Sequence, residues 1–306
     1  MAITASMVKE LRETTGAGMM DCKKALTETN GDLEKAIEFL REKGLAAAAK
    51  KAGRIAAEGL VMDYITEDGK SGALVEVNSE TDFVAKNEDF RSYVAQVAKQ
   101  AACTKSNNLE AFLEEAWIED NSKTVKDILV DQISVIGENL NIRRFKKFEA
   151  EEGVVVSYIH GGGRIGVLVE LKTDNPTEAI IEAGKNIAMQ VAAVNPQYVN
   201  VNEIPADRIE KEKGILKQQA LNEGKPEHIV EKMVRGRLNK ALKEVCLLDQ
   251  PYVKDPDLSV QKYIDAISKE TGSTFSVKRF VRFETGEGLE KREEDFAAEV
   301  AKQMQG

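Results

Sequence analysis

Residues 78–87 read Asn-Ser-Glu-Thr-Asp-Phe-Val-Ala-Lys-Asn and follow directly on an apolar, strand-like run at 73–77. Thr81 suits a helix N-cap, since its hydroxyl can accept a backbone N–H left unpaired at the helix start. Asp82 would then lie in the first turn, where negative charge meets the positive end of the helix dipole. Two readings of Phe83 stay open. In the first, Thr81 and Asp82 cap the helix and the ring plugs the core; local physics taken alone favours this one. In the second, Asp82 and Phe83 stand exposed on a rigid strand-to-helix corner, an acid beside an aromatic, which is what a wedge entering another protein needs. Met19 and Met20, after Gly16-Ala17-Gly18, place flexible apolar side chains at a loop-to-helix junction. They suit either an adaptable contact surface or the core of a small bundle. His160, beside three glycines at a hairpin tip, is equally open between contact and no role.

No set of residues for covalent or acid–base chemistry can be assembled. The sequence has no G-x-x-x-x-G-K-S/T loop to cradle phosphates, so no direct nucleotide binding is expected. Gly286-Glu287-Gly288 lacks the third glycine of a dinucleotide fingerprint and reads as a strand-to-helix turn. The 2 histidines, His160 and His228, and the cysteines Cys22, Cys103 and Cys246 are scattered, and H-E-x-x-H is absent. No metal site is therefore expected. His160-Gly161-Gly162-Gly163 is similar to the oxyanion loop of lipase-like hydrolases, but no G-x-S-x-G elbow accompanies it. A hairpin turn is the better reading. With Asp and Glu totalling 52, a close pair of carboxylates carries no information. The expectation is a protein that is not an enzyme, with no catalytic residues and no cofactor.

The elements that position these residues can be read from the same 306 residues, enough for two or three modules. Hydrophobic content of 42% and charged content of 31% are those of a globular chain. A net charge of −9 argues against a general nucleic-acid binder, whose affinity rests on cations neutralising phosphates. No stretch reaches the roughly 18 apolar residues of a membrane span, and residues 1–8 lack the charged start and apolar run of a secretory signal. Three distant cysteines read as buried free thiols in a reducing compartment, so a cytoplasmic location is expected.

Residues 1–54 show helical spacing at Val8, Leu11, Ala25, Leu26, Leu33, Ala36, Ile37 and Leu40, interrupted at 15–18 and 30–32. Asp21 and Asp32 stand where N-caps are expected. Three short helices and a helical linker at 46–51 result. A shift of 94 then aligns 59–61 with 153–155, 73–77 with 167–171, and Gln96-Val97-Ala98 with Gln190-Val191-Ala192. The same shift would put Asp82 on Pro176 and Phe83 on Thr177. A shift of 135 aligns 142–149 with 277–284, both alternating apolar and basic residues, read as strands with one buried and one wet, cationic face. A duplicated core follows, each copy a hairpin, helices and a closing Arg-rich strand in a three-stranded antiparallel sheet, at 55–150 and at 151–204 with 246–285. Inserted at 205–245 are two helical stretches broken at Gly224-Lys225-Pro226, an antiparallel helical hairpin. Residues 286–306 form a C-terminal module with an amphipathic helix carrying Phe296, Ala297, Val300 and Met304. The expected class is α+β.

The residues at 14–26, from Thr14-Thr15-Gly16-Ala17-Gly18-Met19-Met20 onward, resemble the N-terminal signature of the bacterial translation elongation factor Ts family. Glu76-Val77-Asn78 with Thr81-Asp82-Phe83-Val84-Ala85-Lys86 looks like its second signature. Ile136-Gly137-Glu138-Asn139 with Ile142-Arg143-Arg144, the 160–167 hairpin and the 295–300 segment are similar as well, in order along the whole chain. Three glycines after His160 depart from the family's shorter Gly-Ala pair, and 102–121 matches weakly. The resemblance implies a guanine-nucleotide exchange factor for the GTPase elongation factor Tu, with a UBA-like N-terminal bundle. It implies that Thr81, Asp82, Phe83 and Val84 disturb the partner's Mg²⁺ site, and that Met19, Met20, Ile136, Gly137 and His160 contact the partner. The hairpin at 205–245 is implied to be coiled-coil-like, with self-association through it. A binding or chaperone-like module for the same GTPase, without exchange activity, is the alternative.

Overall fold

The computed structural model describes residues 3–224 and 226–290. The expected C-terminal helix lies outside them. The chain opens with α1 (Ala5–Thr15), α2 (Met19–Glu28) and α3 (Leu33–Lys51). Thr4 caps α1 by accepting from the Met7 N–H, and Asp32 caps α3 by accepting from the Lys35 N–H. Gly16 ends α1 in the left-handed region at φ 66°, which a residue without a Cβ adopts freely. Asp21 is not a cap: Gly18 takes that place, and Asp21 sits in the first turn of α2. Leu11, Cys22, Ala25, Leu26 and Ala36 are fully buried together as the core of these helices. The linker expected at 46–51 is the continuation of α3.

The first copy of the core then runs β1 (Glu58–Ile65), β2 (Ser71–Ser79), α4 (Asp82–Lys86), α5 (Glu88–Cys103), α6 (Leu109–Leu113), β3 (Ala116–Trp117), β4 (Asp120–Thr124), α7 (Val125–Ile136) and β5 (Asn141–Glu149). The second runs β6 (Val154–His160), β7 (Ile165–Thr173), α8 (Glu178–Val194), α9 (Ala206–Asn222), α10 (Glu227–Glu244), β8 (Pro251–Tyr252), β9 (Asp255–Ser259), α11 (Val260–Thr271) and β10 (Phe275–Glu284). The two sheets have the matching orders β1-β2-β5 and β6-β7-β10, the hairpin's second strand in the middle of each. β6 and β7 pair antiparallel, from Val154 opposite Leu171 to His160 opposite Ile165. The fold is α+β. Leu216, Ala220, Val230, Val234 and Leu238 bury one another between α9 and α10.

The duplication is deeper than two short echoes. A shift of 135 carries β3, β4 and α7 onto β8, β9 and α11 end for end, and Gly137 onto Gly272, both left-handed helix ends. Trp117, in the weakly patterned 102–121 region, thus corresponds to buried Tyr252. The shift of 94 holds for the strands, carrying β2 onto β7, but not for the helices. Phe90, Val94, Val97, Gln100 and Ala101 of α5 match Ile180, Gly184, Ile187, Gln190 and Val191 of α8, a shift of 90. Gln100 and Gln190 prove the register. Each Oε1 accepts from the residue after the buried aromatic, Ile118 at 2.8 Å and Val253 at 2.7 Å, and each Nε2 donates to the strand before it. The expected pairing of Gln96 with Gln190 is therefore one helical turn off.

Two further expectations change. Arg143 and Arg144 do not lie on a wet face: both turn onto the buried Glu76 carboxylate, at 3.0 and 2.5 Å. Cys103 is exposed, because it is the last residue of α5, while Cys22 and Cys246 are buried. All three thiols are free. By packing, the chain divides into two units, one drawing its described residues from 1–62, 75–145 and 284–306, the other from 63–74 and 146–283. The second has its core between β6, β7 and α8, with Val167, Val169, Leu171, Ile187 and Val191 buried. No helix among the described residues is long and apolar enough to cross a membrane.

Candidate functional site: the Thr81–Lys86 corner

β2 is buried along nearly its whole length, so the chain leaves it at Ser79 in a fixed direction. Thr81 caps α4, its hydroxyl accepting from the Val84 N–H at 3.4 Å. After one turn Asn87 ends α4 and caps α5, accepting from Asp89 N at 2.8 Å and Phe90 N at 3.1 Å. Eight residues, 80–87, separate β2 from α5, whereas four, 174–177, separate β7 from α8. The change of register between strands and helices is this difference. α4 therefore lies in a connection four residues longer than that of the second copy, and the counterpart of the Thr177 cap is Asn87, not Phe83.

On this turn Phe83 is 79% exposed, and Asp82 is exposed beside it. The reading in which the ring plugs the core is overturned; the core position is taken by Phe90, one helix on, which is fully buried. Val84 and Thr81 are half-buried under the turn. Lys86, one turn after Asp82, pairs with its carboxylate at 2.5 Å and lies 5.8 Å from the Phe83 ring centroid. That hydrogen bond from Lys86 holds the Asp82 carboxyl below the usual carboxylate range, so it is ionised at neutral pH.

The corner is tied to the connection between α7 and β5. Gly137 ends α7 at φ 85° and is exposed; Ile136 before it is half-buried. Immediately after, Glu138 Oε2 accepts from the N–H groups of Glu80 and Thr81, both at 3.0 Å, and Oε1 accepts from the Thr81 hydroxyl at 2.7 Å. In return Glu80 Oε1 accepts from Asn139 N at 2.6 Å, and Asn139 Nδ2 donates to the Arg54 carbonyl at 2.8 Å. Ile136 and Gly137 are thus brought against the corner. Sequence reasoning missed Glu80, Glu138, Asn139 and Lys86 as supports, although Lys86, Glu138 and Asn139 stand within the family-like segments.

Met19 and Met20 begin α2 and are 59% and 75% exposed, so neither belongs to the bundle core. Gly18 just before them lines a cavity of about 260 Å³ together with Lys43, Ser134 and Val135. The far wall is α7, which the α3 helix meets at Gly44: a Cβ there would come within 2.8 Å of Ser134 Oγ. Arg41 pairs with Asp127 of α7 at 2.8 Å, and Lys51 donates to the Ile133 carbonyl. The start of α2 and the end of α7 therefore flank one cavity. His160 belongs to the other unit. It is exposed at the end of β6, and its Nδ1 is 3.0 Å from the Tyr158 hydroxyl. The three glycines after it all have positive φ and make the turn into β7.

Among the described residues, no three His, Cys, Asp or Glu side chains gather as a metal site. The arrangement presents an anion and an aromatic ring on a turn braced from behind, and offers no nucleophile beside a base. Residues 80–287 match the family described as Elongation factor TS. Elongation factor Ts of Clostridium kluyveri is 58% identical over 304 residues, covering 99% of both chains. That of Clostridium tetani is 58% identical over 303 residues, covering 99% of this chain and all of its own. That of Clostridium botulinum is 60% identical over 302 residues, covering 99% of both. With a family match over more than half its length and such relatives over nearly all of it, the chain belongs to the elongation factor Ts family.

Proposed function

We propose that the chain is a guanine-nucleotide exchange factor for the GTPase elongation factor Tu, acting in translation elongation in the cytoplasm. The observation that carries the reading is the exposure of Phe83 beside an ionised Asp82 on a braced turn. A large ring left mostly in water has burial still to gain, and a partner that covers it supplies that burial. Thr81 to Val84 enter the GTPase domain and displace the groups that hold Mg²⁺ and phosphate. Loss of Mg²⁺ removes the charge neutralisation of the phosphates, and GDP leaves. By linkage, a factor that binds the nucleotide-free GTPase more tightly must weaken nucleotide binding by the same factor. No covalent step is needed, and the chain itself holds no nucleotide.

Met19 and Met20, with Ile136 and Gly137, extend the contact on the same partner, and His160 reaches another of its domains. The domain reading is that of a UBA-like N-terminal bundle at 1–54, core copies at 55–150 and at 151–204 with 246–285, an inserted hairpin at 205–245 through which two copies associate, and a C-terminal module at 286–306. The test is release of labelled GDP from elongation factor Tu with and without catalytic amounts of the chain. Faster release supports exchange; complex formation with an unchanged rate would mean a binding or chaperone-like module instead.

A further inference from the structure

From the hydrogen bonds at the corner we propose that Glu138 is a positioning residue for exchange, holding Asp82 and Phe83 in one presentation before a partner arrives. This rests on the exchange-factor reading above. Its carboxylate takes three hydrogen bonds from the two residues just before α4, the N–H groups of Glu80 and Thr81 and the Thr81 hydroxyl. Those donors would otherwise face water, and α4 itself is a single turn, too short to hold its shape alone. Once Glu80 and Thr81 are fixed, the direction of Asp82 and Phe83 follows from the backbone. Glu80 completes a reciprocal bond to Asn139 N, so the two loops hold each other by a carboxylate from each side.

The second copy of the core is an internal control. The counterparts of Glu80, Thr81, Glu138 and Asn139 are Asp174, Asn175, Ser273 and Thr274, and there the four added residues are missing. The only side-chain bond between Asn175 and Ser273 runs from Nδ2 to a hydroxyl at 3.1 Å. The carboxylate that grips backbone amides occurs in the copy that carries the projecting turn. The Glu138 hydrogen bonds go to Glu80 and Thr81 rather than to Asp82 or Phe83, so its effect is on where those two point.

The test compares Glu138→Ala and Glu138→Gln with the unaltered chain in GDP release from elongation factor Tu, over a range of factor concentration. An amide can still accept the two N–H bonds and donate to the Thr81 oxygen, so Glu138→Gln should keep the maximal rate within about threefold. Glu138→Ala should lower the maximal rate by about tenfold to a hundredfold, as misplacement of a working group does, with the half-saturating concentration moved far less. Amide exchange at Glu80 and Thr81 should quicken in Glu138→Ala alone. A maximal rate in Glu138→Ala close to the unaltered chain overturns the assignment. So does a loss that Gln does not recover, or one that tracks a lowered melting temperature. If the unaltered chain itself leaves GDP release unchanged, the exchange-factor reading fails first, and that result is distinct from the others.

Discussion

Glu76 and Glu170 stand at equivalent positions of the two core copies, both wholly buried, and each carboxylate meets two consecutive basic residues of the last strand. Arg143 and Arg144 bind the first at 3.0 and 2.5 Å, Lys278 and Arg279 the second at 2.9 and 2.5 Å. Their surroundings differ. Glu76 also accepts from Gly286 N at 2.8 Å and Asn78 Nδ2 at 3.1 Å, and its arginines are only 20% and 30% exposed. Lys278 and Arg279 are 47% and 44% exposed and return to water readily. Glu76→Ala should therefore cost about 3–5 kcal/mol, the range for breaking a buried pair. Glu170→Ala should cost about 1–3 kcal/mol. Urea unfolding of the two variants checks the order, and equal costs would remove the role given to Gly286 and Asn78.

Because the Phe83 ring makes almost no contact with its own chain, its removal should be silent in stability and loud in function. Phe83→Ala should shift the unfolding free energy by less than about 0.5 kcal/mol, as surface changes do. The double change Asp82→Ala, Phe83→Ala should slow stimulated GDP release by about thirtyfold or more, the scale of an interface hot spot. A variant that unfolds would show that the corner is needed for the fold. One that folds and keeps full activity would remove the wedge.

The fold was legible in the sequence where its causes are local. Helix periods, the Thr81 and Asp32 caps, the Gly16 stop and the strand duplication are local or repeat every few residues, and they carry through to the fold. The exposure of Phe83 is not local. It depends on Phe90 filling the core seven positions on, and the two rings sit in similar surroundings along the chain. The Glu138 bonds reach back 57 and 58 positions, beyond any short pattern. The register of α5 on α8 failed for a related reason. Four added residues are one helical turn, so the apolar period survives the slip and a gapless shift still finds matches.

Lys86 lowers the titration midpoint of Asp82 through its hydrogen bond to the carboxylate. A carboxyl whose folded pKa is depressed adds stability above its unfolded value, about 3.9, and loses it as pH falls through the lower folded value. Near pH 7 the Asp82 carboxyl is thus ionised, and exchange should show no dependence on pH from this group between about pH 6 and 8. Lys86→Met should raise the Asp82 midpoint towards the ordinary carboxylate value. Carboxyl-carbon NMR reads the shift directly, and an unmoved midpoint would show that Lys86 is not its cause.

The close approach of Gly153 to the sheet gives a stability prediction independent of the corner. It lies at φ 113°, and an added Cβ would meet the Leu171 carbonyl oxygen at 1.9 Å; Gly59 repeats this at φ 119° with the Val77 oxygen at 2.2 Å. Both contacts are with backbone, which cannot swing aside. Gly59→Ala and Gly153→Ala should each cost more than about 2 kcal/mol, while Gly214→Ala, with open space and a helical backbone, should stabilise α9 by up to about 1 kcal/mol. Thermal unfolding of the three variants separates strain at the hairpins from ordinary helix propensity.

The difference between the two strand-to-helix connections can itself be transplanted. Residues 80–87 replaced by the 174–177 segment, together with Glu138→Ser, would give the first copy the connection of the second. The Asn87 cap is then supplied by the threonine that serves α8, and α5 keeps its register on the sheet because the four lost residues lie outside it. Arg54 and Asn139 lose Glu80, at a cost of about 1–3 kcal/mol. The graft should unfold cooperatively and still bind elongation factor Tu through Met19 and Met20, yet leave GDP release at its unassisted rate. A graft that cannot fold would show that the two connections are not equivalent. One that folds and exchanges normally would move the active corner elsewhere, because the graft keeps every other element of the chain and lacks only α4 and its clamp.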